Sequence, residues 1–230
     1  KLLVKDLKNP DGTPITEEQA KQIQKYYNSC AEQGSTEAQI EESQRAMAQM
    51  RAILGHPDRL KKLAADMVEH YEALCAEKPE IVQKAMIVCA DRAVAFHLLQ
   101  EILAIRPDWG EKRRAEDESA LTEEQLDKLM PLPKINLVAT QGANDEKDLF
   151  DACGTKEYRK MLDRQFKNND SNFRIAVVVD MWITGFDVPS LAVMYIDKPL
   201  QKHTLIQTIS RVNRVFEGKD KGLVVDYIGI

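Results

Sequence analysis

The feature that most constrains the fold is a series of five short apolar runs, most of them separated by segments with helical spacing. We predict a buried β-strand for each run: Ala85–Cys89, Ile135–Thr140, Ile175–Val179, Ala192–Ile196 and Leu223–Val225. Strands that alternate with helices pair in parallel, because each connecting helix crosses back over the sheet. The pattern therefore predicts an α/β fold, with a three-layer parallel sheet flanked by helices.

Helical spacing also dominates the chain before the first predicted strand. Thr16 opens a sequence that is typical of a capping box at a helix start. We therefore predict a helical lead-in over residues 1–55 and one α/β domain over residues 56–230. Residues 106–133 are highly charged and show little periodicity, so we expect a surface insertion there, with one short helix that begins at Thr122.

The composition bounds the class of protein. The chain has 230 residues and a formal net charge of −5, which argues against a uniformly basic nucleic-acid coat. Its four cysteines form no Cys-x-x-Cys pair, so we expect reduced thiols and no zinc site. No apolar run reaches the roughly 18 residues of a membrane span, and the start shows no signal-peptide pattern. We therefore expect a cytoplasmic protein without a membrane partner.

Several common catalytic motifs are missing from the sequence. The Gly218-Lys219-Asp220 tripeptide lacks the earlier glycine and the hydroxyl residue of a phosphate-binding loop. There is no Gly-x-Ser-x-Gly nucleophile elbow. Asp145 and Glu146 stand at a predicted helix start, where capping explains them, and Asp226 ends an apolar run without a phosphate loop to accompany it. We expect no complete hydrolase site in this chain alone.

A short turn, Thr184-Gly185-Phe186-Asp187, follows the third predicted strand. Its glycine permits a close approach of the backbone to a phosphate or a sugar. The nearby carboxylate of Asp187 can accept hydrogen bonds from ribose hydroxyls. This turn is a candidate nucleotide contact.

Twenty residues beyond Asp187, a predicted helix carries Gln207, Arg211 and Arg214. Their spacing of i, i+4 and i+7 places the three side chains on one helix face. Planar guanidinium groups suit a transferring γ-phosphate, and arginine fingers raise phosphoryl-transfer rates by on the order of 10³–10⁵. A pair of surface salt bridges is the alternative that spacing alone leaves open.

Arg92 lies in the first turn of the helix that we expect to begin at Asp91. A cation is unfavourable there because the helix dipole places positive charge at the same end. Such an arginine either faces an anion, such as a phosphate, or extends into solvent.

Together these motifs resemble a known family. Gln-x-x-x-Arg-x-x-Arg, twenty residues beyond a Thr-Gly-Phe-Asp turn, resembles motifs V and VI of superfamily 2 helicases and translocases. The fuller text resembles the second motor domain of the R (restriction) subunit of type I restriction–modification enzymes, and KAMIVCADRAVAFHLL resembles that family's motif IV region. The resemblance covers Lys84–Ile230 apart from the charged insertion, and it is carried by the segments VVVDMWITGFDVPSL, MYIDKPLQKHTLIQTISRVNR and GLVVDYIG.

The resemblance implies a RecA-like motor domain and a role for each candidate residue. Arg211 and Arg214 become catalytic candidates, as arginine fingers. Four residues become ATP-binding candidates and three become DNA-binding candidates: Thr184, Gly185, Asp187 and Gln207 for ATP, and Arg92, Thr140 and Gln141 for DNA. Ser210 and Asn213 stand where many helicases have glycine, a departure that the R-subunit family tolerates.

The resemblance also implies cofactors and partners. The whole subunit would use ATP and Mg²⁺, and neither is expected to be bound by this fragment. Its partners would be duplex DNA, the first RecA-like motor domain and the nuclease domain of the same chain, and the modification and specificity subunits. A first residue other than Met and an end directly after an apolar run lead us to expect a piece of a longer protein. The alternatives are another superfamily 2 motor and a non-catalytic interaction module on the same fold.

Overall fold

A computed structural model describes most of the chain beyond its N-terminal fifth, and the helical lead-in before residue 48, with Thr16, lies outside the described residues. The described residues are 48–182, 186–200, 206, 209–210, 212, 214–219 and 221–228. Residues 48–54 are helical and end at Gly55. The helices that follow are α1 (Pro57–Glu77), α2 (Arg92–Ile105), α3 (Glu123–Leu126), α4 (Lys147–Cys153) and α5 (Lys156–Lys167).

The described strands form one sheet with the order β2-β3-β1-β4-β5. Every neighbouring pair is parallel, and β1 lies at the centre between β3 and β4. The predicted α/β parallel sheet is therefore confirmed, with strand bounds within two residues of those expected. The strands are β1 (Lys84–Cys89), β2 (Ile135–Val138), β3 (Ile175–Val178), β4 (Leu191–Asp197) and β5 (Leu223–Asp226).

Alternate residues of the strands contribute to two separate cores, one on each face of the sheet. In β1, Ile87 packs into the core that α1, α2 and α4 cover, whereas Val88 packs into the core that α5 covers. Val212 of the segment before β5 also lies in the second core. Because successive strand residues point to opposite faces, a run without polar interruptions fills both cores. This arrangement is the three-layer architecture expected from the sequence.

Side-chain caps explain where α2 and α3 begin. The Asp91 carboxylate accepts a hydrogen bond from the Val94 amide (2.9 Å), which starts α2. Thr122 and Gln125 form a reciprocal capping box at the start of α3, as expected for a helix that begins at Thr122. Each cap satisfies a backbone N–H that has no partner within the helix.

The charged segment 106–133 is more structured than we expected. In addition to α3 it contains two short 3-10 helices, Pro107–Gly110 and Glu118–Ala120. Its Trp109 is buried and meets the ring of Tyr71 edge-on, with ring centroids 5.8 Å apart. A small core of its own is formed by Ala115, Leu126 and Leu129. The segment therefore has the short helix expected at Thr122, and several of its apolar residues are buried, whereas Met130 is 49% exposed.

Lys84 begins β1 with a fully buried side chain. Its Nζ donates hydrogen bonds to the carbonyl oxygens of Phe166 and Asn168, the latter at 2.9 Å, at the C-terminal end of α5. Burial, with the Arg174 guanidinium nearby, lowers the pKa of Lys84 from 10.5 to about 6. A neutral amine still has two N–H bonds, which suffices for both carbonyls.

This lowered pKa predicts that the domain is more stable in mild alkali. Between pH 6 and 10.5 the unfolded chain binds one more proton at Lys84 than the folded chain, so the free energy of unfolding rises with pH by up to about 1.4 kcal/mol per unit. Denaturant unfolding of the wild type and Lys84→Met at pH values of about 6.5, 7.5 and 8.5 measures this pH dependence of the free energy of unfolding. The wild type should gain stability relative to the variant as pH rises. If the free energies of unfolding of the two proteins change in parallel with pH, the lowered pKa of Lys84 is contradicted.

Candidate functional site

The residues that follow the strands gather at one edge of the sheet, which we call the C-terminal edge, because all five strands are parallel. Ligands of open α/β sheets bind beyond this edge. At its centre, Lys198 follows β4 and Asp180 follows β3. The Lys198 ammonium donates to the Asp180 carboxylate and to the Val179 carbonyl oxygen (3.3 Å). The edge therefore carries paired charges in addition to the residues predicted from the sequence.

A buried ion pair lies beneath this edge, at the end of β4. Asp197, the last residue of β4, is fully buried and receives both terminal nitrogens of Arg59 in α1, with Nη1 3.1 Å from Oδ2. The same Nη1 donates to the carbonyl oxygen of Leu54 (3.1 Å), at the end of the preceding helix. Burial raises the pKa of Asp197 above its ordinary value, while Arg59 opposes the shift. The ion pair ties the start of α1 to the end of β4.

Of the Thr-Gly-Phe-Asp turn, Phe186 and Asp187 belong to the described residues. Thr184 and Gly185 lie outside the described residues. Phe186 is buried and stacks on Trp182, with ring centroids 4.2 Å apart and planes 2° from parallel. Trp182 has a φ of 66°, in the left-handed region that side chains other than glycine rarely adopt. The two stacked rings flank Thr184 and Gly185 in sequence, and Asp187 follows them exposed to solvent.

The structure brings Arg214 to this turn. Its Nε lies 3.5 Å from Oδ1 of Asp187, and both side chains are about half exposed (45% and 58%). Residues 206, 209, 210 and 212 are helical, but Arg214 itself is not, so it lies just past the helix rather than on it. This corrects the expectation that one helix face carries all three polar residues. Gln207 and Arg211 lie outside the described residues.

The three DNA-binding candidates lie at the same edge, beyond β1 and β2. Arg92 is not simply solvated, since its Nη2 lies 2.8 Å from Oδ1 of Asp145. The Gln141 amide nitrogen donates to the Phe150 carbonyl oxygen (3.1 Å), and Thr140 is exposed. Arg92 therefore already faces an acid, and any phosphate would have to share it.

Asp145 and Glu146, at the start of α4, do not cap the helix as we expected. Oδ2 of Asp145 accepts a hydrogen bond from the Gly142 amide (2.6 Å), in the turn that precedes the helix. Glu146 occupies the N-cap position, but its side chain accepts no capping hydrogen bond. Asp145 therefore orders the turn after β2 and anchors Arg92. The sequence spacing suggested capping, because the distant partner Arg92 leaves no local signal.

Two negative findings apply to the described part of the chain. No group of three or more His, Cys, Asp or Glu side chains there could hold a metal ion. None of the helices in that part is long and apolar enough to cross a membrane.

The family model for domain 3 of the type I restriction enzyme R subunit matches residues 13–229. The chain belongs to this R-subunit family. The resemblance found in the sequence motifs is therefore confirmed, and the match extends over the charged segment and most of the lead-in. A domain of this family that begins at residue 13 includes much of the region that the motif resemblance did not cover.

Relatives with known names agree with the family model. The R-subunit domain is 36% identical over 182 residues to the type I restriction enzyme HindI endonuclease subunit of Haemophilus influenzae, a match that covers 77% of this chain and 15% of the relative. It is 33% identical over 206 residues to a chain of Methanocaldococcus jannaschii assigned as the MjaIXP type I restriction enzyme endonuclease subunit, covering 89% and 17%. The R-subunit domain thus spans less than a fifth of the length of these relatives.

Among solved structures, the R-subunit domain is similar to a fragment assigned to the HsdR subunit of a type I restriction enzyme from Vibrio vulnificus YJ016. The TM-score is 0.46 and the identity 14%, with 74% of this chain and 28% of the other covered. The family assignment rests on the sequence matches.

Proposed function

We propose that this chain is the second RecA-like motor domain of an R subunit, and that it supplies the arginine half of an ATP site completed by the first motor domain. The observation that carries the proposal is the meeting of Arg214 with Asp187 at the C-terminal edge of the sheet. It joins the two sequence motifs at the edge where α/β sheets bind ligands. Family membership supports the motor assignment over other superfamily 2 helicases.

The Arg214 guanidinium is suited to leave the Asp187 carboxylate for a phosphate. An exposed ion pair at 3.5 Å contributes only about 0–1 kcal/mol, so the guanidinium can leave the carboxylate at small cost. A γ-phosphate offers several acceptor oxygens that match the planar fork of arginine. Asp187, freed from Arg214, would then be available to a ribose hydroxyl. In this proposal Thr184, Gly185 and Gln207 line the nucleotide beside it, and Arg211 joins Arg214 at the phosphate.

The rest of the motor would come from other domains and subunits. The sequence has no complete phosphate-binding loop, so we assign the Mg²⁺ and the β-phosphate contacts to the first motor domain. In the whole subunit, ATP hydrolysis would drive translocation of duplex DNA, and a nuclease domain would cut it. Arg92, Thr140 and Gln141 would contact the DNA backbone, and the modification and specificity subunits would complete the complex.

The proposal predicts that the isolated chain has no ATPase activity of its own. Purified residues 1–230 should bind ATP weakly and hydrolyse it no faster than the buffer does, because the phosphate loop and magnesium ligands are not in this sequence. The full-length subunit should hydrolyse ATP when duplex DNA is added. Phosphate release by the two proteins, measured side by side, tests this, and robust turnover by the isolated chain would refute the shared site.

A further inference from the structure

The turn that leads into β5 presents one lysine to the backbone of the candidate site. Phe216 and Lys219 face each other across this turn, with the Lys219 amide 3.0 Å from the Phe216 carbonyl oxygen. Gly218 has a φ of 77°, and a Cβ there would lie 2.5 Å from a methyl of Ile81. The positive φ favours glycine at this position, and the turn sets the point from which the Lys219 side chain departs.

The Lys219 ammonium donates to three carbonyl oxygens from two segments of the chain. They are those of Val212 (2.6 Å), which is helical, of Arg214 (3.1 Å), which is not, and of Pro189 (3.1 Å). Pro189 lies two residues beyond Asp187. An ammonium has three N–H donors, so these contacts use all of them. The Gly218-Lys219 dipeptide therefore does not present a phosphate-binding lysine, and it serves the backbone instead.

Two further contacts hold the turn against the helix end. A Cβ on Gly222 would lie 2.2 Å from the Val212 carbonyl oxygen, so the chain after the turn passes directly against that peptide group. On the other side, Lys78 of the segment after α1 donates to the Gly218 carbonyl oxygen (3.1 Å). The last carbonyl groups of a helix lack partners within the helix, and a cation there also offsets the negative end of the helix dipole.

We propose that Lys219 is a positioning residue that sets the backbone of Arg214 against the segment that carries Asp187. It joins the two halves of the candidate site by one charged group, without touching the nucleotide itself. This inference rests on the proposed function, because it gives Lys219 a role in ATP turnover only if Arg214 acts on ATP. Lys219 is half-buried, and this burial lowers its pKa.

The test compares variants of the full-length R subunit that contains this chain, with DNA-stimulated ATP turnover as the readout. Lys219→Met keeps an unbranched side chain that is one atom shorter and removes all three donors. We expect its kcat to fall by about ten- to hundredfold, with KM for ATP and duplex DNA affinity within about twofold of wild type, because a displaced finger impairs the transition state more than binding. Lys221→Met, two residues away and exposed, is the matched control and should leave kcat unchanged.

Two additional measurements separate positioning from loss of structure. Hydrogen exchange should increase in peptides that contain residues 188–191 and 214–216, and not in peptides from β1 or β2. If Lys219→Met does not fold, Lys219→Gln, which retains two N–H donors, should fold and show an intermediate kcat.

Wild-type kcat in every folded Lys219 variant, with Arg214→Ala inactive, would overturn the positioning role and leave the proposed function intact. A wild-type subunit without ATPase activity, or an active Arg214→Ala, would instead overturn the proposed function. A fall in DNA affinity or a rise in KM that matches the loss of kcat would also contradict the positioning role of Lys219.

Discussion

Replacing Arg211 or Arg214 by alanine in the full-length R subunit is expected to lower DNA-stimulated ATP turnover by about 10³- to 10⁵-fold. Translocation should stop with it, whereas duplex DNA binding should persist. A guanidinium that stabilises charge on the transferring phosphoryl group acts in the transition state, so kcat falls further than ATP affinity. Phosphate release and a translocation assay on the two variants and the wild type measure the effect.

Two controls separate this role from the surface salt bridge that the sequence left open. Arg113 is also exposed and pairs with Glu111, so Arg113→Ala removes a comparable ion pair outside the site and should leave turnover unchanged. Asp187→Asn removes the charge that Arg214 faces in the described structure. If the pair only stabilises the fold, Arg214→Ala and Asp187→Asn should have equal and small effects. Near-normal ATPase activity in both arginine variants would refute the finger assignment.

Replacing Arg59 by methionine is expected to destabilise the domain by about 3–5 kcal/mol, because it leaves a buried Asp197 without its counter-charge. The raised pKa of Asp197 points the same way, since burial already opposes the charge of this carboxylate. Denaturant unfolding of the wild type and the variant measures the free energy of unfolding.

The companion variants make this test specific for the unpaired charge. Arg59→Met combined with Asp197→Leu removes both charges and should recover much of the lost stability, because well-packed apolar groups often replace a buried ion pair without loss. Arg113→Met removes an exposed pair and should change stability far less than Arg59→Met does. A double variant no more stable than Arg59→Met would show that the loss comes from packing rather than from the unpaired carboxylate.

The parts of the fold that local sequence encodes were predicted well. The strands were found because each is a short apolar run, fully buried in β1 to β4 and half-buried in β5. The caps at Asp91 and Thr122 were found because a cap and its backbone partner lie three residues apart. The burial of Trp109 was missed, since its partner Tyr71 lies 38 residues earlier and belongs to another helix. Packing between distant segments leaves no periodic signal in either of them.

The candidate site was predictable in its motifs but not in its supports. Arg214 and Asp187 were selected by their spacing, and the structure brings them together. Arg59 and Asp197 are 138 residues apart, and neither belongs to a motif, so their ion pair had no signal in the sequence. Lys219 was noticed only as part of an incomplete phosphate loop. Its contacts with Pro189 and Val212 depend on how the turn before β5 meets two other segments.

The stacking of Trp182 on Phe186 has an optical consequence. The chain contains only two tryptophans, and the other, Trp109, lies in the charged segment under α1. With Trp109 replaced by phenylalanine, all indole fluorescence of the domain would come from Trp182, two residues before Thr184 in the sequence. An indole parallel to a neighbouring ring at 4.2 Å changes its emission when the stack opens or its surroundings become wetter. Trp182 is therefore a built-in reporter of events at the turn that the nucleotide is proposed to contact.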